Sequence, residues 1–261
     1  MNTRFYFHVF KELVKADLIS FRENLLDKII NVSIWATTTL GIFAYIMPEF
    51  GIAKDFGIFQ YAGIIASIGL FEMFPSAAKL INDFESEQTI MYNLTLPIPS
   101  WMVVLSKVVF YSINATVMAI CIVPLGKLIL LGQLNLFQIS FFKLSLLIIC
   151  ASIFYASIII WLAGMVDDIS KIGNIWLRII FPLWFLGGFQ FSWSAMKKVA
   201  PNLAYLNLLN PMVYITEAAR VAVIGQEGYL NFWLCICVIL FFAILSIVLG
   251  FKRLKKRLDF V

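Results

Sequence analysis

YLNFWLCICVILFFAILSIVLGF occupies residues 229–251 without a single charged side chain, and the next residues, 252–257, read KRLKKR. A helix rises about 1.5 Å per residue, so about 20 apolar residues cross the hydrocarbon core of a bilayer. This stretch is long enough to cross, and the basic cluster after it marks the side on which it stops. Working back from it, the chain offers five further apolar stretches of similar length, at 29–48, 56–78, 101–125, 142–166 and 172–193. The fold class expected is an all-α membrane protein with six transmembrane helices, built as one domain over residues 1–261.

The composition agrees. Hydrophobic residues make up 62% of the chain and charged ones 13%, against about 25% charged in ordinary soluble domains. The mean hydropathy is +0.92. So little polar surface cannot cover a soluble fold of this size. The four cysteines, Cys121, Cys150, Cys235 and Cys237, all fall in apolar runs and read as small packing residues. None has metal-ligand spacing with the lone His8, so no metal site is expected. Glu12 and Asp17 interrupt the N-terminal stretch and no small-residue cleavage site follows, which argues against a signal peptide.

Six crossings put both ends on one side. Arg4, Lys11, Lys15, Arg22 and Lys28 precede the first span, and Lys252, Arg253, Lys255, Lys256 and Arg257 follow the last. The positive-inside rule therefore expects both termini in the cytoplasm. Residues 1–24 read as an amphipathic helix in the membrane interface. Arg4, His8, Lys11, Glu12, Lys15 and Arg22 share one arc, while Phe5, Val9, Phe10, Leu13, Val14 and Phe21 lie opposite. Lipid headgroups or a cytosolic protein are the partners such a helix suits, and no nucleic acid is expected. The alternative is a charged leader that merely orients the chain.

Residues 199–216 are also uncharged, but Pro201, Asn202, Asn207, Asn210 and Pro211 would break a seventh span and leave amides in lipid. Short re-entrant helices over 199–224, dipping into the outer leaflet, fit better. Within them Asn210 and Pro211 suit the start of a helix. Glu217 and Arg220, three apart, share a face and can neutralise each other, a structural pairing more than a substrate contact.

Three other polar features stand out. The connection at 82–100 holds Asp83, Glu85 and Glu87 beside Phe84 and Tyr92 and ends on Pro97 and Pro99. A short acidic and aromatic helix there would fit a socket on a protein partner, or be a solvated loop. Asp167 and Asp168 form the next turn on that side, where Asp168 could cap a helix. Glu72, beside Pro75, lies either against a polar cavity of the pathway or at the water boundary. No phosphate-binding loop, His-Glu-x-x-His or Gly-x-Ser-x-Gly sequence occurs, so the chain itself is read as a non-enzyme.

Taken together, the interfacial helix, the six spans, the Leu94-x-x-Pro97 exit and Asn210-Pro211-x-x-Tyr214-x-x-Glu217-x-x-Arg220 resemble the ABC-2-type permeases of ATP-binding-cassette exporters. The resemblance covers nearly the whole chain, carried by residues 84–99, by 167–170 with Leu186-Gly187-Gly188-Phe189, and by 209–225. It implies that two permeases, alike or related, pair side by side. Each docks on a separate ATPase subunit that holds the ATP and Mg, so this chain needs no cofactor. It also implies that Asp83, Phe84, Glu85, Ser86, Glu87, Gln88 and Tyr92 belong to the coupling helix in the ATPase groove. Asn210, Pro211, Tyr214, Glu217 and Arg220 would belong to the outer gate, and the whole would lie in a bacterial inner membrane. Two departures are visible. Many relatives carry Gly where this chain has Glu87-Gln88-Thr89, and 192–198 read SWSAMKK where a proline-rich turn is usual. An ion-gradient transporter would be expected to show internal repeats and paired broken helices, and none is evident. A non-transporting assembly factor is the other alternative. For an exporter, the aromatic share of 16%, with 25 Phe, suits an amphipathic, lipid-like or glycan substrate.

Overall fold

The computed structural model describes residues 3–166 and 169–258. Helix α1 covers Thr3–Glu23, and after Asn24 the chain turns into α2, Leu25–Gly41. A π turn at Ile42–Ile46 and a 3-10 turn at Met47–Phe50 prolong α2 as far as Gly51. Then come α3, Phe56–Asn82, the short α4, Thr89–Leu94, α5, Ser100–Leu130, and α6, Phe141–Ala163. Helix α7 runs over Ile172–Leu186. Three short helices follow, α8 at Trp193–Val199, α9 at Pro201–Asn207 and α10 at Pro211–Val223. The last, α11, is Phe232–Leu258. No strand occurs among the described residues, and the chain is an all-α membrane protein. The turn at Asp167 and Asp168, with its candidate cap, lies outside the described residues.

Among the described residues five helices are long and apolar enough to cross a membrane: α2 with its extension, α3, α5, α6 and α11. The stretch at 172–193 differs from them. Its helix stops at Leu186, and at about 1.5 Å per residue it spans about 22 Å of a core about 30 Å thick. Gly187 and Gly188 end it, and Gly188 turns the chain with φ +82°. The span expected there is therefore a shorter helix, a turn, and the start of α8.

Helices α3 and α6 form the centre, buried over most of their length, while α2 and α11 leave most of their surface for lipid. Helix α6 packs along α11, α5 and α3, and α10 packs on α3 and α11. Lipid offers no hydrophobic drive between helices, so close packing and polar ties hold them. The Tyr61 hydroxyl donates to Val123 O at 3.0 Å, joining α3 to α5, and the Tyr155 hydroxyl donates to Ala66 O, joining α6 to α3.

Two ion pairs fix the α4 end of the bundle. Lys107 on α5 donates to both carboxylate oxygens of Asp17 at 2.8 and 2.9 Å, which pins α1 against the span. Phe21 adds an edge contact to Phe110 at 6.2 Å. On the open side of α1, Arg4, His8, Lys11 and Lys15 are exposed, as are Phe5 and Phe7. The second pair is Lys28 of α2 with Glu72 of α3, and Asn114 of α5 donates to the same Glu72 oxygen at 3.4 Å. Glu72 thus joins three helices, with 13% of its side chain exposed.

Removing Glu72 should strand a half-buried ammonium. Glu72→Ala is expected to lower stability by about 2 kcal/mol, the scale of a hydrogen bond to a charged group. Lys28→Met with Glu72→Met together should recover part of that loss, measured by thermal unfolding in detergent micelles. Strictly additive losses would show that the two side chains are not coupled.

Candidate functional site

The polar residues singled out in the sequence gather at two places. At the α4 end, α3 runs without a break into a π turn at Asp83–Glu87, and Gln88 then takes a left-handed conformation, φ 53°, before α4 begins. Asp83 accepts from Thr89 N at 3.1 Å through one oxygen and from Ile90 N at 2.9 Å through the other. The carboxylate thereby satisfies the first two N–H groups of α4 and faces the positive end of its dipole. Asp83 is thus a joint between α3 and α4 and is turned inward.

Ile90 is buried beneath α4, and Met91 and Leu94 pack on the core. Tyr92 points the other way, 68% exposed. Around it Glu85, Ser86 and Gln88 are exposed and Phe84 is half-buried, while the side chain of Glu87 lies outside the described ones. The Thr95 hydroxyl closes the helix by donating to Tyr92 O at 2.8 Å. The result is a rigid knob with an aromatic tip and an acidic flank. Gln88 sits in a backbone region that is uncommon for residues other than glycine.

The second place is the turn between α7 and α8 with the helix α10 that braces it. All of α10 is buried, from Pro211 to Val223. Arg220 is 0% exposed and Glu217 1%, with 3.3 Å between Nη1 and Oε1. The guanidinium donates to the carbonyls of Gly188, Phe189 and Phe191, and it lies 3.7 Å from the centre of the Phe59 ring. Glu217 accepts from Trp193 N at 2.9 Å and from Leu230 N at 3.0 Å. One buried pair therefore fastens the turn after α7, the start of α8, the approach to α11 and one face of α3.

The end of α7 is satisfied by the same region. A helix leaves its last carbonyls without partners, and inside a membrane no water supplies them. Asn210 Nδ2 donates to Leu183 O at 3.0 Å, Asn207 Nδ2 to Leu186 O at 2.6 Å, and the Thr216 hydroxyl to Gly187 O at 2.6 Å. Asn210 also caps α10 by accepting from Met212 N at 2.9 Å, with Pro211 in the first turn. Tyr214 donates to Leu208 O at 2.9 Å. A Cβ on Gly188 would lie 3.2 Å from Thr216 Oγ1, at a positive φ that disfavours any side chain.

A cluster of rings to which the sequence assigns no role adjoins the second place. Phe189 is buried on Gly63 of α3, where a Cβ would stand 3.2 Å from its ring. Trp184 packs at a tilt on Phe189 with ring centres 4.9 Å apart, and the Phe71 ring centre lies 4.9, 5.9 and 5.4 Å from those of Trp35, Trp176 and Trp184. These rings fill the crossing of α2, α3 and α7. Gln60 and Ser67 are fully buried on α3, and neither they nor the Trp184 indole N–H have a partner among the described residues. Positions 60, 63, 67 and 71 share one helix face, a row of polar groups and rings.

Two substitutions probe the two places. Arg220→Met should cost about 3–5 kcal/mol, because it leaves a buried carboxylate without its cation. Arg220→Lys should recover less than half of that, since one ammonium cannot reach the carbonyls that the planar fork spans. Full recovery in thermal unfolding would show that charge alone matters. Asp83→Ala should cost about 1 kcal/mol and fray α4, whereas Asp83→Asn should retain most of the cap. Faster proteolysis at 88–94 in the Ala variant is the readout.

No curated relative matches the chain. Residues 9–224 match the ABC-2 type transporter family, from α1 through α10 and so across both places described above. A match over that much of the chain shows that the protein belongs to the ABC-2 type transporter family, as a multi-pass permease subunit.

Proposed function

We propose that this subunit is half of an exporter in a bacterial inner membrane, with both termini in the cytoplasm. Two such permeases, alike or related, stand side by side. The energy comes from a separate ATP-binding-cassette subunit that holds ATP and Mg. It grips the knob formed by Glu85, Ser86, Gln88 and Tyr92. Family membership supports this pairing, since ABC-2 permeases generally work with such a subunit. The observation that carries the reading is the joint at Asp83: the exposed knob is tied to the end of α3, so a push on Tyr92 moves α3 as a lever.

Helix α3 carries the row of Gln60, Ser67 and Phe71 against the rings of α2 and α7. In this reading that face borders the pathway, and an amphipathic, lipid-like or glycan substrate passes along it. Asn210, Pro211, Tyr214, Glu217 and Arg220 hold the turn that closes the exit. Glu72 keeps α2, α3 and α5 together while they move. A bound partner shifts such an equilibrium only by binding one arrangement better than the other, so ATP binding must favour one position of α4.

The test is co-purification with the ATPase subunit encoded beside this gene. Exposed aromatic tips are frequent anchors of interfaces, so Tyr92→Ala should weaken the complex about 30-fold or more. Glu85→Lys should weaken it further. An ATPase that binds both variants as well as the parent would refute the assignment of α4.

A further inference from the structure

Helix α7 carries one charge, Arg178, in the π turn Trp176–Ile180. Such turns insert an extra residue into a helix and concentrate at functional positions. The side chain is exposed, and no hydrogen bond or ion pair reaches it among the described residues. An arginine in a membrane helix without a partner is costly, so its surroundings must supply one.

Arg178 borders a groove of about 550 Å³ between α6, α7 and α11. Trp161, Leu245 and Leu249 also line it, as do Leu203 and Leu206 of α9. The groove has a direction. Trp161 lies in the last turn of α6, toward the α4 end, whereas α9 lies beyond the far end of α7. Arg178 is about 9 Å into α7 at about 1.5 Å per residue, a depth from which its long stem can bring the guanidinium to the headgroup level.

We propose that this groove holds one anionic phospholipid of the leaflet on the α4 side. Its phosphate sits on Arg178, and its acyl chains run up between α7 and α11 to α9. Charge complementarity selects this occupant. A guanidinium binds phosphate through a two-pronged, charge-assisted contact, and the apolar walls above it suit hydrocarbon chains. The volume falls in the range of about 300–1,000 Å³ usual for small-molecule sites. The orientation also matches, with the head at the membrane boundary and the tails toward the middle. The site does not depend on the export reading, since a resident lipid would bind whichever way the transporter works.

The test is native mass spectrometry of the full chain, released from nanodiscs of phosphatidylglycerol and phosphatidylcholine with identical acyl chains. The parent should retain one phosphatidylglycerol with a preference of about 10-fold or more, the scale of a charged hydrogen bond. Arg178→Gln should bring the preference close to parity, and Arg178→Lys should keep part of it. Lys198→Gln, a change at an exposed lysine on α8, should leave it intact. A phosphatidylglycerol with a photoreactive group at its chain end should label residues 203–206 or 245 of the parent chain, a readout that needs no variant. Equal retention in the parent and Arg178→Gln would overturn the site, as would labelling confined to other helices. A second copy seated in the groove is also measurable. If Arg178→Gln dissociates a dimer and leaves lipid retention unchanged, the groove is a contact between copies and the proposal fails.

Discussion

The ion pair between Glu217 and Arg220 is the constraint on which the half of this protein away from α4 depends. A charged pair taken out of water is costly unless most of its remaining donors and acceptors are met. Here backbone meets most of them, three carbonyls of the turn after α7 on one side and two N–H groups on the other, while Arg220 Nε has no partner among the described residues. That backbone has no regular partners of its own, because it belongs to a turn and to two helix starts. The pair and the irregular chain therefore stabilise each other, and neither would persist inside a membrane alone.

The same logic governs the end of α7. A helix that stops short of the far surface exposes its final carbonyls to an environment without water. Asn207, Asn210 and Thr216 come from later helices to meet them. The short helices α9 and α10 thus complete α7, and the shortened helix and these two helices form one unit.

This explains what could be read in the chain and what could not. The long uncharged runs and the two-sided α1 follow from local pattern, which periodicity reports well. The spacing of Glu217 and Arg220 implied their contact. It could not imply Gly188, Phe189 and Phe191, which lie about thirty residues away in sequence. The stretch at 172–193 looked like one span because its apolarity continues past Gly187 and Gly188. Helix length there is set by carbonyl partners that come from far along the chain. Asp83 looked like a docking acid because it sits among Glu85 and Glu87, and only the π turn after α3 brings it back onto Thr89 and Ile90. Glu72 was ambiguous for the same reason: Lys28 is 44 positions away.

The pin between Asp17 and Lys107 bears on how the protein is made. Its two residues are 90 positions apart, and Lys107 belongs to the third of the long helices to be synthesised. At about 5–20 residues per second, α1 must wait several seconds for its anchor. Until then α1 lacks the tie that holds it to the bundle, so the arrival of α5 sets when Asp17 gains its cation and α1 its place in the fold.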